Sequence, residues 1–364
     1  MSEHLPNEQN IRIHLTNIHG LGATKLLRSL LPHLENNKQF KTHELHLPYD
    51  GPLSRYAPTQ PNTKTLIFKR KLPNLISRFM ECLFTSSYYD DGTPIIVFGD
   101  IPLRIPKGNQ VIFLHSSLVI TPWIENKRFS SLKYIISRII FRINLKYINT
   151  IVVQTSVMKE KLLSVFPALH NKVQVLPQPV PEWLGRENFQ KNNQTYTNES
   201  KLNLIYPAAY YPHKNHKLLE KINTVKEDWP LSNITLTIDK SKNPAPLINW
   251  IKCCGELDHS SLLEKYKNAD ALLFLSLEES YGFPLIEAMY LDLPIVSADL
   301  PYARVICGEN AVYFNPYEIK SLLNTIVDLK QKLISGWRPD WSNQLKKIPK
   351  DWQSVADDII NLII

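Results

Sequence analysis

The stretch ALLFLSLEESYGFPLIEAM, residues 271–289, runs from apolar residues through a polar loop into a second apolar segment. A short continuous apolar run such as ALLFLS suits a strand covered on both faces. LEESYGF reads as the loop leaving it. PLIEAMYLD reads as a helix with Pro284 in its first turn, where a missing N–H is no loss. Glu279 then lies on the loop and Glu287 about one turn into the helix. Unpaired N–H groups at such a helix start, backed by the positive end of the helix dipole, form a site for phosphate or a developing anion. Two acids flanking it would suit the hydroxyls of a sugar or ribose. The same residues fit equally well a Glu287 that only complements the dipole and a Glu279 that stands in solvent.

Working outward, similar apolar runs alternate with longer amphipathic stretches. The first set is IRIHL (11–15), TLIF (65–68), PIIVFG (94–99), QVIFLH (110–115), TIVVQ (150–154) and KVQVLP (172–177). After the proline-rich LPQPVPEWL (176–184) and the polar QKNNQTYTNES (190–200), the pattern restarts with NLIYPA (203–208), ITLTID (234–239), ALLFLS (271–276), PIVSAD (294–299) and AVYFN (311–315). This alternation predicts an α/β chain of parallel strands with helical crossovers, and the prolines mark a domain boundary. A length of 364 residues with 43% hydrophobic content supports two domains. Two successive α/β units imply a cleft between them, with ligands at the carboxyl ends of the strands.

Cys82, Cys253, Cys254 and Cys307 show neither zinc-type spacing nor a disulfide framework, which fits a reducing compartment. The opening MSEHLPNEQN lacks an apolar signal core, and no run approaches the roughly 18 apolar residues of a membrane span. The expected location is the cytoplasm. The net charge of +8 is unevenly spread. Residues 1–180 hold 22 Lys and Arg against 11 Asp and Glu, whereas residues 181–364 hold 20 against 23. The basic half suits an anionic partner, whether nucleic acid, a membrane surface or a phosphorylated substrate, and equally a solvated face. YYDDG (88–92) is ordinary turn chemistry rather than a metal site.

Glu279 and Glu287, seven residues between them, with AMYLDLPIVSAD following, resemble the donor-site signature of the family 4 retaining glycosyltransferases (GT-B fold, glycosyl transferases group 1). Further segments carry the resemblance across most of the chain. YPAAYYPHKNHKLLEKI (206–222) is similar to the family's phosphate-binding segment, which implies a diphosphate contact for Lys214. CGELDHSSLLEKYKNADALLFLS resembles the strand, turn and helix before the donor loop, with Gly255, Glu256 and Leu257 near the nucleotide base. LTNIHGLGATKLLRSLLPHL (15–34) resembles the first glycine loop, with Gly20 and Gly22 allowing close backbone approach. IFLHSSL (112–118) resembles the segment whose histidine, here His115, lies near the reacting sugar.

The resemblance implies two Rossmann-like domains facing a central cleft: residues 1–180 on the acceptor side, 181–345 for the nucleotide sugar, and a terminal helix, 346–364, crossing back. It implies transfer from a nucleoside-diphosphate sugar with retention, without a metal ion. His115, Lys214 and Glu279 are the expected catalytic residues. The donor loop Ser280, Tyr281, Gly282, Phe283, Pro284 and Leu285, with Glu287 on the ribose, completes the expected site. Val305 stands where relatives commonly place a glutamate, and Ala208 and Ala209 offer no arginine, so phosphate binding leans on Lys214, the helix start, or a residue such as Arg304. The acceptor is expected to be a glycan or lipid-linked precursor of a bacterial surface polysaccharide. KRFSSLKYIISRIIFRINLKYI (127–148) is a basic amphipathic stretch that suits an anionic membrane face or a packed helix with a basic exterior. A nucleotide-sugar epimerase of the same fold, or a silent relative that binds membrane or nucleic acid, are the competing expectations. No nucleic-acid module is found.

Overall fold

The computed structural model describes residues 10–18, 20–68, 74–84, 89–105, 107–120, 132–185, 195–222 and 229–364. Residues 1–9, residues 127–131 of the basic stretch and residues 190–194 of the polar stretch lie outside the described residues. The chain divides into two units, Met1–Pro179 with Pro349–Ile364, and Val180–Ile348.

The first unit carries β1 (Asn10–His14), β2 (Thr42–Pro48), β3 (Thr63–Phe68), β4 (Ile95–Val97), β5 (Gln110–Phe113), β6 (Thr150–Val153) and β7 (Val173–Val175). Its helices are α1 (Leu21–Glu35), α2 (Asn74–Leu83), α3 (Leu132–Asn144) and α4 (Ser156–Val165). All strands pair in parallel, in the order β3-β2-β1-β4-β5-β6-β7. The second unit carries β8 (Leu202–Tyr206), β9 (Leu231–Leu236), β10 (Ile251–Cys253), β11 (Ala271–Phe274), β12 (Ile295–Ala298) and β13 (Val312–Phe314). With them come α5 (Glu182–Gly185), α6 (His259–Lys267), α7 (Phe283–Tyr290), α8 (Pro301–Cys307), α9 (Ile319–Ile334) and α10 (Ser342–Leu345). This sheet is also wholly parallel, in the order β10-β9-β8-β11-β12-β13. Both units are Rossmann-like α/β layers, the fold class expected from the alternating runs. The central strands are apolar end to end, as in Ile95–Val97 and Ala271–Phe274, because helices cover both faces of a parallel sheet.

Two strands escaped the sequence pattern. β2, THELHLP, lies between β1 and β3, yet polar residues break its apolar run. For His46 and Glu44 partners compensate the burial. His46 reaches Tyr89 Oη through Nδ1 at 3.0 Å and Glu44 through Nε2 at 2.5 Å. Arg12 bonds Glu44 at 3.2 Å and grips both oxygens of Asp91 at 2.7 Å. That guanidinium pulls the Asp91 carboxyl down to about 2, so this acid of the YYDDG turn serves an ion pair. β10 is a three-residue edge strand whose exposed Lys252 interrupts the apolar sequence, a common protection for an open edge.

The terminal helix α11 (Trp352–Asn361) packs on α1, within the first unit. Asp351 caps it by accepting the Ser354 N–H at 2.9 Å, and Trp352, Val355, Ala356, Ile359 and Ile360 form its buried stripe. Asn109 Nδ2 donates to the Ile363 carbonyl at 3.3 Å, and His33 meets Gln353 at 3.2 Å. Ile359 is fully buried. Ile359→Ala is therefore expected to lower unfolding stability by about 2–5 kcal/mol, measured by denaturant titration of the full chain.

Candidate active site

β8 and β11 are neighbours, with Ala271 opposite Leu204 and Leu272 opposite Ile205. β8 begins the strand series that runs outward to β9 and β10, and β11 begins the opposite series to β12 and β13. The loops leaving their carboxyl ends thus part at a topological switch point, where open α/β sheets form ligand crevices. The loop after β8 carries His213 and Lys214, and the loop after β11 carries Glu279. The two loops are stitched together. Leu277 N–H donates to the His213 carbonyl at 2.7 Å, and Ser276 Oγ donates to the same carbonyl at 3.3 Å. Lys214 Nζ forms an ion pair with Glu279 Oε1, and both side chains are largely buried, at 17% and 11% exposure. Glu279 is therefore not a solvated loop acid.

Two buried tyrosines hold this pair in place. Tyr206, the last residue of β8, donates its hydroxyl to the Lys214 carbonyl at 2.7 Å. Tyr302, from α8, donates to the Ser276 carbonyl. Burial first, and then the negative charge of Glu279, raise both phenols well above their usual range, which keeps them protonated donors. Neither was singled out from the sequence, where each sits among apolar neighbours and reads as core. The same holds for Tyr266 of α6, whose hydroxyl donates to Glu287 Oε2 at 2.7 Å. Glu287 lies in the second turn of α7 and is 7% exposed.

α7 starts where the sequence placed it. Gly282 caps it at φ 80°, in the left-handed region, and Pro284 occupies the first turn. A Cβ on Gly282 would also approach Leu285 Cδ1 to 3.2 Å. Leu285 N–H is taken by the Gly282 carbonyl at 2.9 Å, Pro284 has no N–H, and no described backbone bond uses the N–H of Gly282 or Phe283. These two donors belong to the turn that follows Ser280. The Leu285 and Tyr281 side chains are buried and belong to the core, so what those residues offer at the loop is backbone. Gly255, Glu256 and Leu257 form the turn after β10, with Gly255 at φ 79° and its N–H on the Ile238 carbonyl at 2.9 Å. This turn stands at the same end of the sheet, two strands beyond β8.

Arg304 is committed elsewhere. Its guanidinium holds Asp299 at 2.7 and 3.0 Å and Glu309 at 3.1 Å, and lies 3.8 Å over the Tyr313 ring. In the first unit, Gly20 caps α1 with open space around both it and Gly22. His115 follows β5, its N–H bonded to Asp100 Oδ1 at 2.6 Å and its ring 4.7 Å from that of Phe113. Its Nε2 is buried without a hydrogen-bond partner, and burial lowers its pKa to about 4 against the opposing pull of Asp100. His115 is a neutral imidazole at pH 7.

The residues 187–334 match the family model described as Glycosyl transferases group 1. The second unit carries a group 1 glycosyltransferase domain. The chain is 22% identical over 232 residues to the O-antigen chain mannosyltransferase RfbU of Salmonella typhimurium, covering 61% of each protein. It is 31% identical over 90 residues to the serotype-specific mannosyltransferase WbdA of Escherichia coli, covering 25% of this chain and 11% of that one. The matches thus span less than two thirds of either relative. Sucrose-phosphate synthase from Thermosynechococcus elongatus superposes with a TM-score of 0.67 over 97% of this chain and 98% of its own, at 15% identity. That likeness establishes the GT-B fold class for the two Rossmann-like units.

Two histidines beside the site are also held neutral. Burial, then Lys214, lowers His213 to about 4. Burial and the same lysine bring His216 to about 4, and both its ring nitrogens are buried without hydrogen-bond partners, 5.0 Å from the Tyr206 ring. Unfolding frees each to titrate near 6.5, so the unfolded chain binds more protons below that pH. Their neutral burial stabilises the fold fully above pH 6.5, and the contribution is lost as pH falls toward 4. His216→Phe is expected to reduce the acid-side slope of stability by about 1 kcal/mol per pH unit, read from urea titrations across that range.

Proposed function

We propose that this protein is a retaining glycosyltransferase of the family 4 type, moving a sugar from a nucleoside-diphosphate donor to a glycan or lipid-linked acceptor of a bacterial surface polysaccharide. The observation that carries the reading is the Lys214–Glu279 pair beside the α7 start, at the switch point of a group 1 domain. The similarity to RfbU and WbdA supports an O-antigen type of product and makes a mannosyl donor the first to test.

Breaking the anomeric C–O bond builds negative charge on the leaving diphosphate and positive charge on the sugar. In the free protein Lys214 and Glu279 neutralise each other across the two loops. A bound donor exchanges these partners: its diphosphate takes Lys214, and a sugar hydroxyl takes Glu279. Each charge enters the complex already desolvated and positioned, the kind of preorganisation that favours a transition state over water. The N–H groups of Gly282 and Phe283 and the positive end of α7 add to the stabilisation of the leaving group. With this positive charge in place, the reaction is proposed to run without a metal ion. Glu287, fixed by Tyr266, is assigned to the ribose hydroxyls and Gly255 to Leu257 to the base, while Gly20, Gly22 and His115 of the first unit keep the roles that the resemblance implies for them. Retention follows if the leaving phosphate helps deprotonate the acceptor. The four free cysteines suit a reducing, cytoplasmic setting.

Thermal-shift titration with UDP-, GDP-, ADP- and CMP-sugars tests the donor site. One nucleotide sugar is expected to stabilise the protein, by about 2.7 kcal/mol at a hundredfold excess over Kd, and Glu287→Gln is expected to weaken that gain. Lys214→Met is expected to reduce kcat by about 10²–10³ in a transfer assay with the selected donor. Donor conversion without any acceptor would replace the transferase reading with an epimerase. No stabilisation by any member would remove the donor assignment for these four nucleotides.

A further inference from the structure

Helix α2, NLISRFMECL, is turned inside out. Its two charged residues point into the protein: Glu81 meets His14 Nε2 at 2.9 Å and Thr16 Oγ1 at 3.2 Å, and Arg78 donates to the Gly99 carbonyl. Phe79, Cys82 and Leu83 pack on the core of the first unit. The opposite face shows Ile76, Met80 and the following Phe84 to solvent, at 51%, 45% and 60% exposure. These residues recur every fourth position and so form one apolar stripe.

α3 packs beside α2 against the same core, and repeats the arrangement. Arg138 turns back to the Val119 carbonyl at 3.0 Å, while Ile139 and Ile143 are 54% and 50% exposed. Asn144 Nδ2 ties the ends of the two helices together, donating to the Cys82 carbonyl at 2.6 Å and to the Pro102 carbonyl at 2.8 Å. Around this junction stand exposed Arg104, Arg142 and Lys146. Arg104 reaches the Leu83 carbonyl at 3.4 Å, and Lys146 lies over the Tyr147 ring at 5.0 Å. α3 contains no acid, and the one acid of α2 is the inward-turned Glu81.

We propose that the outer faces of α2 and α3 form a docking surface for an anionic lipid bilayer, with Ile76, Met80, Phe84, Ile139 and Ile143 entering the interface and Arg104, Arg142 and Lys146 meeting the headgroups. Charge selects this occupant. A second copy of the chain would set the same basic cluster against itself across a symmetric contact, whereas phosphate headgroups complement it. Among the described residues no helix is long and apolar enough to cross a membrane, so the contact is a peripheral one. The inference stands on the first unit alone and is independent of the transfer chemistry.

The test is flotation of the full-length protein with vesicles of phosphatidylcholine alone and of phosphatidylcholine mixed with phosphatidylglycerol. Binding is expected to the mixed vesicles and to weaken as salt is added. Arg142→Glu is expected to lower partitioning by at least about fivefold, the effect of one basic residue near such a surface. Met80→Asp with Phe84→Asp, both exposed positions, is expected to abolish flotation, and Ile139→Asp with Ile143→Asp gives an independent pair should the first perturb α2. Unchanged far-UV circular dichroism and thermal unfolding midpoint mark the variants as folded. Wild-type flotation in folded variants of both pairs would overturn the proposal, as would failure of the unmodified protein to bind mixed vesicles. So would a concentration-dependent dimer in sedimentation that both pairs dissolve, since the face would then belong to a second copy.

Discussion

The pairing of β8 with β11 is the constraint on which the candidate site depends. Two parallel strands remote in the chain lie side by side with their continuations running to opposite edges of the sheet, so their loops rise next to each other with no helix between them. An ammonium and a carboxylate on adjacent loops can then meet with little exposure, as Lys214 and Glu279 do. Such a pair has exchanged water for protein on both partners, and removing either one strands the other's charge. This makes the arrangement costly to break and leaves it open to replacement by a ligand that satisfies both charges at once.

What keeps the pair in register is a frame of hydroxyl donors rather than further charge. Tyr206 and Tyr302 each bond a loop carbonyl from below, and Tyr266 fixes the second acid, Glu287, on its helix. The phenols are buried next to acids and so remain protonated, and the neighbouring imidazoles of His213 and His216 remain neutral. The loops are therefore held by neutral hydrogen bonds whose strength does not vary near neutral pH. The first unit shows the opposite design, with Arg12, Glu44, His46, Tyr89 and Asp91 joined as a charged network across β1, β2 and the turn before β4. There, a polar network sits beside the apolar core, and some apolar residues of α2 and α3 are left on the outside.

Much of the fold was legible. Eleven apolar runs were read as strands, and each coincides with a strand of the structure, because a parallel strand buried on both faces needs unbroken apolar sequence. β2 was missed because polar residues break its apolar run, with His46 and Glu44 satisfied by Tyr89 and Arg12 from elsewhere in the chain, and β10 because three residues are too few to show a period. Within the site, the turn at Gly282 and the helix entry at Pro284 were readable as local backbone chemistry. Glu279 was singled out as a loop acid before the helix start, Lys214 was reached through family resemblance, and their contact could not be read at all. Arg304, a candidate for phosphate from sequence, proved to be bound by Asp299 and Glu309.

By itself, then, the sequence determined the α/β class, the restart of the pattern after residue 176 and the basic bias of the first half. It also determined the helix start that aims its N–H groups at a loop. All of these follow from neighbours in the chain, through side-chain period, turn chemistry and charge count. Only the tertiary structure decided which loops meet, which histidines lose their water, which tyrosines become donors, and that α2 turns its charges inward. Those outcomes depend on strand order and on partners far away in sequence. The free energy of a buried charge or hydroxyl is set by the group it finally faces, not by the residues beside it.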